Sequence, residues 1–229
     1  PLAPSVIFKN HANNTFTRVY LPGSDGWAHD GDVADINGDG IDDMFTVGYT
    51  PSTTIMGGKN PTVIQGNSIV DGGRYSDSVA MGEFLGRNNG TYALFTDGNE
   101  IAYFQKFNPS TNKWDAQPLT LKDDNPNLAV NIPTGRHTIR IKAIELNNDG
   151  LQDFLMVTRP NSGENGWDAS TNKSYVEFYR NLGQGKFEKT ALFFKDQAVF
   201  YNIEVKDING DGVDDIYLGA TGSGSTVLL

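Results

Sequence analysis

The 229-residue sequence lacks cysteine, has only three histidines and contains no long apolar run. Without cysteine, the protein has neither a disulfide framework nor a thiol nucleophile. A transmembrane helix needs about 20 consecutive apolar residues, so we expect no membrane insertion. The histidines (His11, His29 and His137) form no His-x-x-x-His zinc pair, and no Gly-x-Ser-x-Gly turn of serine hydrolases occurs. His29 has Asp30 and Asp32 beside it, which leaves a Ser-His-Asp arrangement as one interpretation, but surface or strand-end positions are expected for all three.

Positive charge is also scarce, with 18 lysines and arginines against 28 aspartates and glutamates, a formal net charge of −10. Proteins that bind nucleic acid usually carry a basic surface, so we predict no nucleic-acid partner. Much of the acidic excess lies in three short segments that share one pattern. These segments are Asp35–Asp43, Glu145–Asp153 and Asp207–Asp215.

Each segment has oxygen-bearing side chains at its positions 1, 3, 5 and 9, glycine at position 6 and an aliphatic residue at position 7. Calcium takes about six to eight oxygen ligands, which a tight loop supplies from alternate residues. One such loop would be equally typical of a plain hairpin turn, but three in register favour calcium. We predict about three structural calcium ions, with the position-7 residue contributing its carbonyl. The candidate ligands are Asp35, Asn37, Asp39, Ile41 and Asp43; Glu145, Asn147, Asp149, Leu151 and Asp153; and Asp207, Asn209, Asp211, Val213 and Asp215.

The segments are not EF-hand loops, because position 12 holds Thr46, Met156 or Leu218 where an EF-hand needs a bidentate glutamate. A short apolar run follows each segment instead, as in Phe154–Val157. Runs of this length closed by Gly or Pro indicate buried strands. The sequence therefore predicts an all-β fold in which each loop joins two strands.

This loop-then-strand unit resembles the FG-GAP/VCBS repeats of integrin-α-type β-propellers. Leu218-Gly-Ala-Thr221 is similar to the Phe-Gly-Ala-Pro element of that repeat. Val176–Asn181 followed by Gly185–Phe187 matches the family's hairpin of a strand, Asn, Gly and Phe, and Val6–Phe16 is a second copy. The resemblance implies a calcium-binding propeller, and it leaves the ligand undefined because propellers serve many roles.

Spacing predicts a fourth, degenerate repeat. The first loop residues Asp35, Glu145 and Asp207 leave a gap that residues 78–95 fill with a strand–turn–strand pattern. Aligning Glu83 with Asp35 places Leu85, Arg87 and Thr91 at ligand positions 3, 5 and 9, so we predict no metal there. We expect one domain over residues 1–229, with repeats near 24–73, 74–135, 136–198 and 199–229.

The ring can be closed in two ways. In one, residues 1–23 complete the blade that begins at residue 199, which gives a closed four-bladed ring without exposed sheet edges. In the other, the chain is part of a larger, seven-bladed ring, as is usual in the family that the sequence resembles. The sequence leaves both open.

Two tryptophans are the candidate ligand-binding residues. Trp27 and Trp167 lie in loops rich in Gly, Asn and Ser, where an exposed ring beside Asp and Asn suits a sugar. The alternative is that each ring caps the end of a blade. Trp114 occupies the hairpin position of Phe16 and Phe187 and is expected in the core.

We expect an extracellular binding or adhesion function without catalysis. The partner would be a glycan, as for a lectin, or a protein. Millimolar calcium outside cells fills weak sites, and the first residue, Pro1, is not Met, so we expect a secreted or cell-surface protein from which a leader was removed. The alternatives are a secreted polysaccharide lyase or hydrolase on a propeller scaffold and a purely structural domain of a larger surface protein.

Overall fold

The computed structural model describes residues 4–228 except 12–13, 25, 49–50, 67–75, 87–88, 97–101, 116–118, 121–135, 146, 161–172, 197, 212–213 and 223–225. The residues that it describes form strands, turns and bends, so the all-β prediction is confirmed. Within these residues there is no helix long and apolar enough to cross a membrane.

Eighteen strands follow one another along the described chain. They are β1 (Val6–His11), β2 (Thr15–Tyr20), β3 (Ala28–Ala34), β4 (Asp43–Gly48), β5 (Thr53–Met56), β6 (Thr62–Gln65), β7 (Val79–Gly82), β8 (Tyr92–Thr96), β9 (Ala102–Asn108), β10 (Lys113–Trp114), β11 (Leu119–Thr120), β12 (Arg136–Ile144), β13 (Asp153–Pro160), β14 (Lys173–Gly183), β15 (Lys186–Asp196), β16 (Ala198–Lys206), β17 (Asp215–Gly222) and β18 (Thr226–Leu228).

The strands form four antiparallel sheets in chain order and one separate hairpin. The sheets are β3–β6, β7–β10 with β11 also paired to β9, β12–β15 and β16–β18. Each is a meander, because consecutive strands pair with each other. The second sheet confirms the strand–turn–strand pattern expected of the degenerate repeat, since β7 pairs with β8.

The acidic loops join the first and second strands of the first, third and fourth sheets, as expected. The strands that follow these loops are buried, with Phe45, Phe154 and Leu218 each 0% exposed. Burying such a side chain contributes about 1.5–3 kcal/mol. Each loop is therefore held at the end of a strand that is fixed in the core.

The first strands of the four sheets lie side by side in the order β3, β7, β12 and β16. Three of them carry a β-bulge at the same distance from the loop, six residues before position 1, at His29, Ile139 and Tyr201. A bulge increases strand twist and redirects a side chain. The three strands thus present matched residues along one axis.

Apolar side chains fill the spaces between successive sheets. The cluster between the first and second sheets includes Phe45, Phe95, Phe107 and Trp114. The cluster between the second and third sheets includes Phe84, Phe104, Phe154, Tyr179 and Phe187. The cluster between the third and fourth sheets includes Leu155, Val176, Phe200 and Leu218. Trp114 is 5% exposed and donates its Nε1–H to the Thr54 hydroxyl over 2.9 Å. Its expected core position is confirmed.

The Asn-Gly-Phe hairpin of the third sheet links two sheets. The Asn181 side-chain amide donates to the carbonyl oxygens of Phe84 (2.8 Å) and Gln152 (2.9 Å), and both Asn181 and Phe187 are buried. Asn181 pairs with Phe187 in the ladder, as Asn10 pairs with Phe16 in the N-terminal hairpin. The shared sequence pattern therefore gives the same register twice.

The N-terminal hairpin and the fourth sheet are separate in the described residues. β1 and β2 form a two-stranded sheet, while β18 pairs with β17. Phe16 is 62% exposed and Phe8 64% exposed, in contrast to the buried Phe187. Completion of the fourth blade by residues 1–23 stays a prediction.

Candidate functional site

The first position of each acidic loop accepts hydrogen bonds from the loop backbone. Asp35 accepts from the N–H groups of Gly38 (2.7 Å) and Gly40 (2.8 Å). Glu145 accepts from Gly150 (3.0 Å), and Asp207 accepts from Gly210 (2.6 Å). In each loop the position-1 carboxylate therefore accepts an N–H from position 4, from position 6 or from both.

The third and fifth positions repeat a second set of hydrogen bonds. In all three loops the position-3 amide oxygen accepts the position-5 N–H, over 2.8, 3.2 and 2.9 Å. In the first two loops the Asp at position 5 also accepts the position-7 N–H, over 2.8 Å in each. These turns arrange the oxygens of Asn37 and Asp39, and of Asn147 and Asp149, along one side of each loop.

Glycine or asparagine with a positive φ angle makes these turns possible. Position 4 has φ of 81° at Gly38, 55° at Asn148 and 81° at Gly210, and position 6 has φ of 82° at Gly40 and 77° at Gly150. L-residues other than Asn and Asp rarely adopt this conformation. The glycines of the pattern are thus required by the backbone and not by space.

The aspartate at position 9 is buried and connects the loop to the sheet. Asp43, Asp153 and Asp215 are 1%, 0% and 3% exposed. Asp43 accepts the N–H of Ile36 (3.2 Å), and Asp215 accepts the equivalent N–H of Ile208 (2.7 Å). This residue ties the beginning of the loop to its end.

Two loop carboxyl groups have shifted pKa values in opposite directions. Desolvation raises the pKa of Asp35, but hydrogen bonds from Gly40, Gly38 and Asp39 outweigh it, and the pKa is lowered. Burial raises the pKa of Asp43, and the charges of Asp39 and Asp35 raise it further against the hydrogen bonds that it accepts. A cation in the loop would relieve this repulsion.

The donor set suits calcium, since it consists of carboxylate and amide oxygens and one carbonyl per loop. The side chains as placed are bonded mainly to backbone N–H groups. Among the described residues, no group of three or more His, Asp or Glu side chains is arranged to hold a metal ion. The ligand assignments, including Ile41 and Leu151, therefore stay predictions.

Some predicted site residues lie outside the described residues. These are Val213, Trp167 and Arg87. In the degenerate repeat, Thr91 donates its hydroxyl to the Asp35 carbonyl oxygen over 2.9 Å, which links it to the first loop. The absence of metal from this repeat also stays a prediction.

Trp27 is a largely exposed residue immediately before β3. Its side chain is 63% exposed, and its ring meets the His29 ring edge-on with centroids 6.5 Å apart. This exposure agrees with the binding interpretation of Trp27. No contact in the structure identifies what it would bind.

The histidine interpretation needs a correction. His29 Nδ1 lies 2.8 Å from the Asp77 carboxylate, which accepts a hydrogen bond from the ring. Asp30 instead accepts from the Ser78 hydroxyl, and Asp32 accepts from the Met81 N–H over 2.7 Å. Tertiary folding pairs His29 with Asp77, which lies two residues before β7, because the first strands of the two sheets are adjacent. His11 is exposed on β1 as expected, where its Nε2 contacts the Thr17 hydroxyl at 2.8 Å.

The structure also brings together residues that the sequence patterns did not single out. A polar cavity of about 210 Å³ lies among the four first strands and is lined by Asp30, Asp32, Arg140, Lys142 and Glu204, among others. In the three strands before an acidic loop, the lining residues stand three to five positions before the loop. This shared spacing from the acidic loops is the sequence feature from which the cavity lining could have been predicted.

The sheets and loops define an all-β protein of repeated antiparallel meanders, three of which contain an acidic loop. Residues 145–218 match the family model described as an FG-GAP-like repeat, and this segment covers the second and third acidic loops and the strands β13–β16 between them. The resemblance to the FG-GAP/VCBS family is confirmed for this segment. No curated protein matches the chain.

Proposed function

We propose that this chain is a calcium-stabilised β-propeller module that acts outside the cell in binding or adhesion, without catalysis. The observation that carries the proposal is the repetition of one hydrogen-bond pattern in three loops. A plain hairpin turn requires no buried aspartate at position 9, yet all three loops have one. Millimolar extracellular calcium would occupy such sites even at modest affinity.

Calcium would act on stability. Burial and the charges of Asp39 and Asp35 raise the pKa of Asp43, and a bound cation would offset the repulsion between these carboxylates. Asp35, Asn37, Asp39 and Asp43, with the carbonyl of Ile41, would hold the ion in the first loop, and the equivalent residues would do so in the other two. An ion bound only to the folded state stabilises it by about 2.7 kcal/mol at a hundredfold excess over Kd.

We propose further that the four sheets are the blades of one closed ring. The order of the first strands supports this, as does the cavity that β3, β7, β12 and β16 line together. β18 already occupies the edge of β17, so the N-terminal hairpin would join the fourth sheet outside β18 or displace it.

The ligand would be a glycan or an extracellular protein. The exposed ring of Trp27 beside the polar His29 suits a sugar ring, which offers C–H groups to stack and hydroxyls to bond. Loops at the end of a rigid sheet scaffold are common positions for such residues.

Isothermal titration of calcium into chelator-treated protein tests the metal sites. We expect about three sites, with one lost in each of Asp39→Ala and Asp211→Ala. A folded protein that takes up no calcium would overturn the structural role.

A glycan array in millimolar calcium, with a chelator control, then tests the ligand. Calcium-dependent binding that Trp27→Ala abolishes would support a lectin-like function. Release of reducing or unsaturated ends from a polysaccharide panel would overturn the non-catalytic assignment. If the folded protein binds no glycan, the proposed glycan ligand is wrong and a protein partner is favoured.

A further inference from the structure

The polar cavity among the four first strands is separate from the acidic loops. Its volume is about 210 Å³, and β3, β7, β12 and β16 all contribute to its lining. Pockets for drug-sized ligands usually measure about 300–1,000 Å³. The cavity is therefore large enough for a small metabolite only.

Charges of both signs face this cavity from different strands. Arg140 and Lys142 stand on β12, while Asp30 and Asp32 stand on β3 and Glu204 stands on β16. Because alternate residues of a strand share a face, each of the two pairs on β3 and β12 points to the same side.

Local hydrogen bonds hold two of these side chains, Arg140 and Asp32, in place. Arg140 Nη1 donates to the carbonyl oxygens of Asp77 (3.3 Å) and Ile139 (2.6 Å). These two hydrogen bonds fix the guanidinium group. Asp32 accepts the N–H of Met81 over 2.7 Å, and an ionised carboxylate has further lone pairs for a second donor.

The opposite charges of the cavity are not joined in direct ion pairs. None of the ion pairs among the described residues joins Arg140 or Lys142 to Asp30, Asp32 or Glu204, and the Arg140 charge only partly offsets the burial that raises the pKa of Asp30. Charged groups that share a partly buried cavity without pairing gain from a partner that brings both opposite charges.

We propose that this cavity binds a small zwitterion of α-amino-acid type. The carboxylate of the ligand lies toward Arg140 and Lys142, and its ammonium group lies toward Asp32 and Glu204. The carboxylates of Asp30, Asp32 and Glu204 would repel a simple anion. The positive charges of Arg140 and Lys142 would repel a simple cation.

The test uses the calcium-loaded chain and glycine, L-alanine and L-serine as probes, with saturation-transfer NMR to detect binding and calorimetry to measure it. Acetate and methylammonium serve as the two halves of the zwitterion. We expect saturable binding of at least one amino acid and at least tenfold weaker binding of both halves.

Variants locate the site. Lys142→Met and Asp32→Asn preserve side-chain size, and each is expected to weaken amino-acid binding at least tenfold while circular dichroism stays unchanged. Lys206→Met is the matched control, because Lys206 is exposed at the end of β16 and does not line the cavity.

Three results would overturn the proposal: no saturable binding of any of the three amino acids by the folded protein, equal binding of acetate or methylammonium, or unchanged affinity in both cavity variants. The calcium titration has a separate readout, so its outcome and this one are distinguishable.

Discussion

Asp43, the last residue of the first acidic loop, accepts the backbone N–H of Gly57 over 2.8 Å. Asp153 accepts the N–H of Asn181 in the same way over 2.6 Å. Gly57 and Asn181 both stand at the end of the third strand of their sheets. The position-9 aspartate therefore fastens the loop to a third strand in addition to its predicted role as a ligand.

This double role separates the effects of two substitutions in the first loop. Asp39 is exposed, whereas Asp43 is buried. We predict that Asp39→Ala leaves the Tm unchanged in a chelator and removes the contribution of one of the three sites to the rise that calcium causes. That contribution is about 5–10 °C if calcium contributes about 2.7 kcal/mol per site. Asp43→Ala should lower the Tm in both conditions.

Differential scanning fluorimetry with calcium and with chelator measures both effects. Asp42→Ala is the matched control, since Asp42 stands at position 8 of the same loop, is exposed and is not a predicted ligand. Asp211→Ala in the third loop should behave like Asp39→Ala. An unchanged melting curve in calcium for both variants would contradict calcium stabilisation.

The positive φ angles predict a second difference. Gly40 has φ of 82°, and an added Cβ atom would meet nothing within 4 Å. Gly40→Ala should therefore destabilise through backbone strain alone, by about 1–2 kcal/mol. Gly38→Asn should cost less, because Asn148 occupies the equivalent position with φ of 55°. Urea unfolding in chelator measures both, and equal stability of Gly40→Ala and the parent would contradict the strain.

Asp30 predicts a pH dependence. Burial raises its pKa above the ordinary value of 3.8, against the lowering effects of the Ser78 hydroxyl and the Arg140 charge. A raised pKa in the folded state means that the protonated form is favoured there, so folding loses stability as the pH rises from 3.8 through the raised value. Asp30→Asn, which keeps an acceptor for the Ser78 hydroxyl, should gain stability relative to the parent over that interval.

Urea unfolding of Asp30→Asn and the parent from pH 3.5 to pH 7 checks this prediction. The difference between them should grow as the pH rises and then level off. If the free energy of unfolding of the parent instead rises relative to that of the variant over the same pH interval, ionised Asp30 stabilises the fold.

The N-terminal hairpin supplies a test of ring closure. Phe16 is 62% exposed, although its counterparts Phe187 and Trp114 are buried. If the hairpin completes the fourth blade in solution, Phe16 is covered, and Phe16→Ser should lower the Tm by about 4–8 °C for a loss of about 2 kcal/mol. Leu182→Ser is the control, because Leu182 is 48% exposed on the third sheet. Equal, small effects of the two would contradict closure by the hairpin.

Local chemistry made several features predictable from sequence. The acidic loops, the buried strands after them and the Asn-Gly-Phe hairpin depend on residues close together in the chain. The same is true of the degenerate repeat, where the strand pattern of β7 and β8 persists although Leu85 and Thr91 replace ligands. Short-range hydrogen bonds and alternating burial set these elements.

The sequence by itself determined the all-β class, the resemblance of residues 145–218 to an FG-GAP-like repeat and the candidate calcium loops, since each depends on short segments of consecutive residues. Only the tertiary structure decided that His29 meets Asp77 and that charges from β3, β12 and β16 share one cavity. These residues lie at least 48 positions apart. Their contacts exist because the apolar clusters between the sheets align the first strands side by side, and a spacing in the chain does not specify which strands become neighbours.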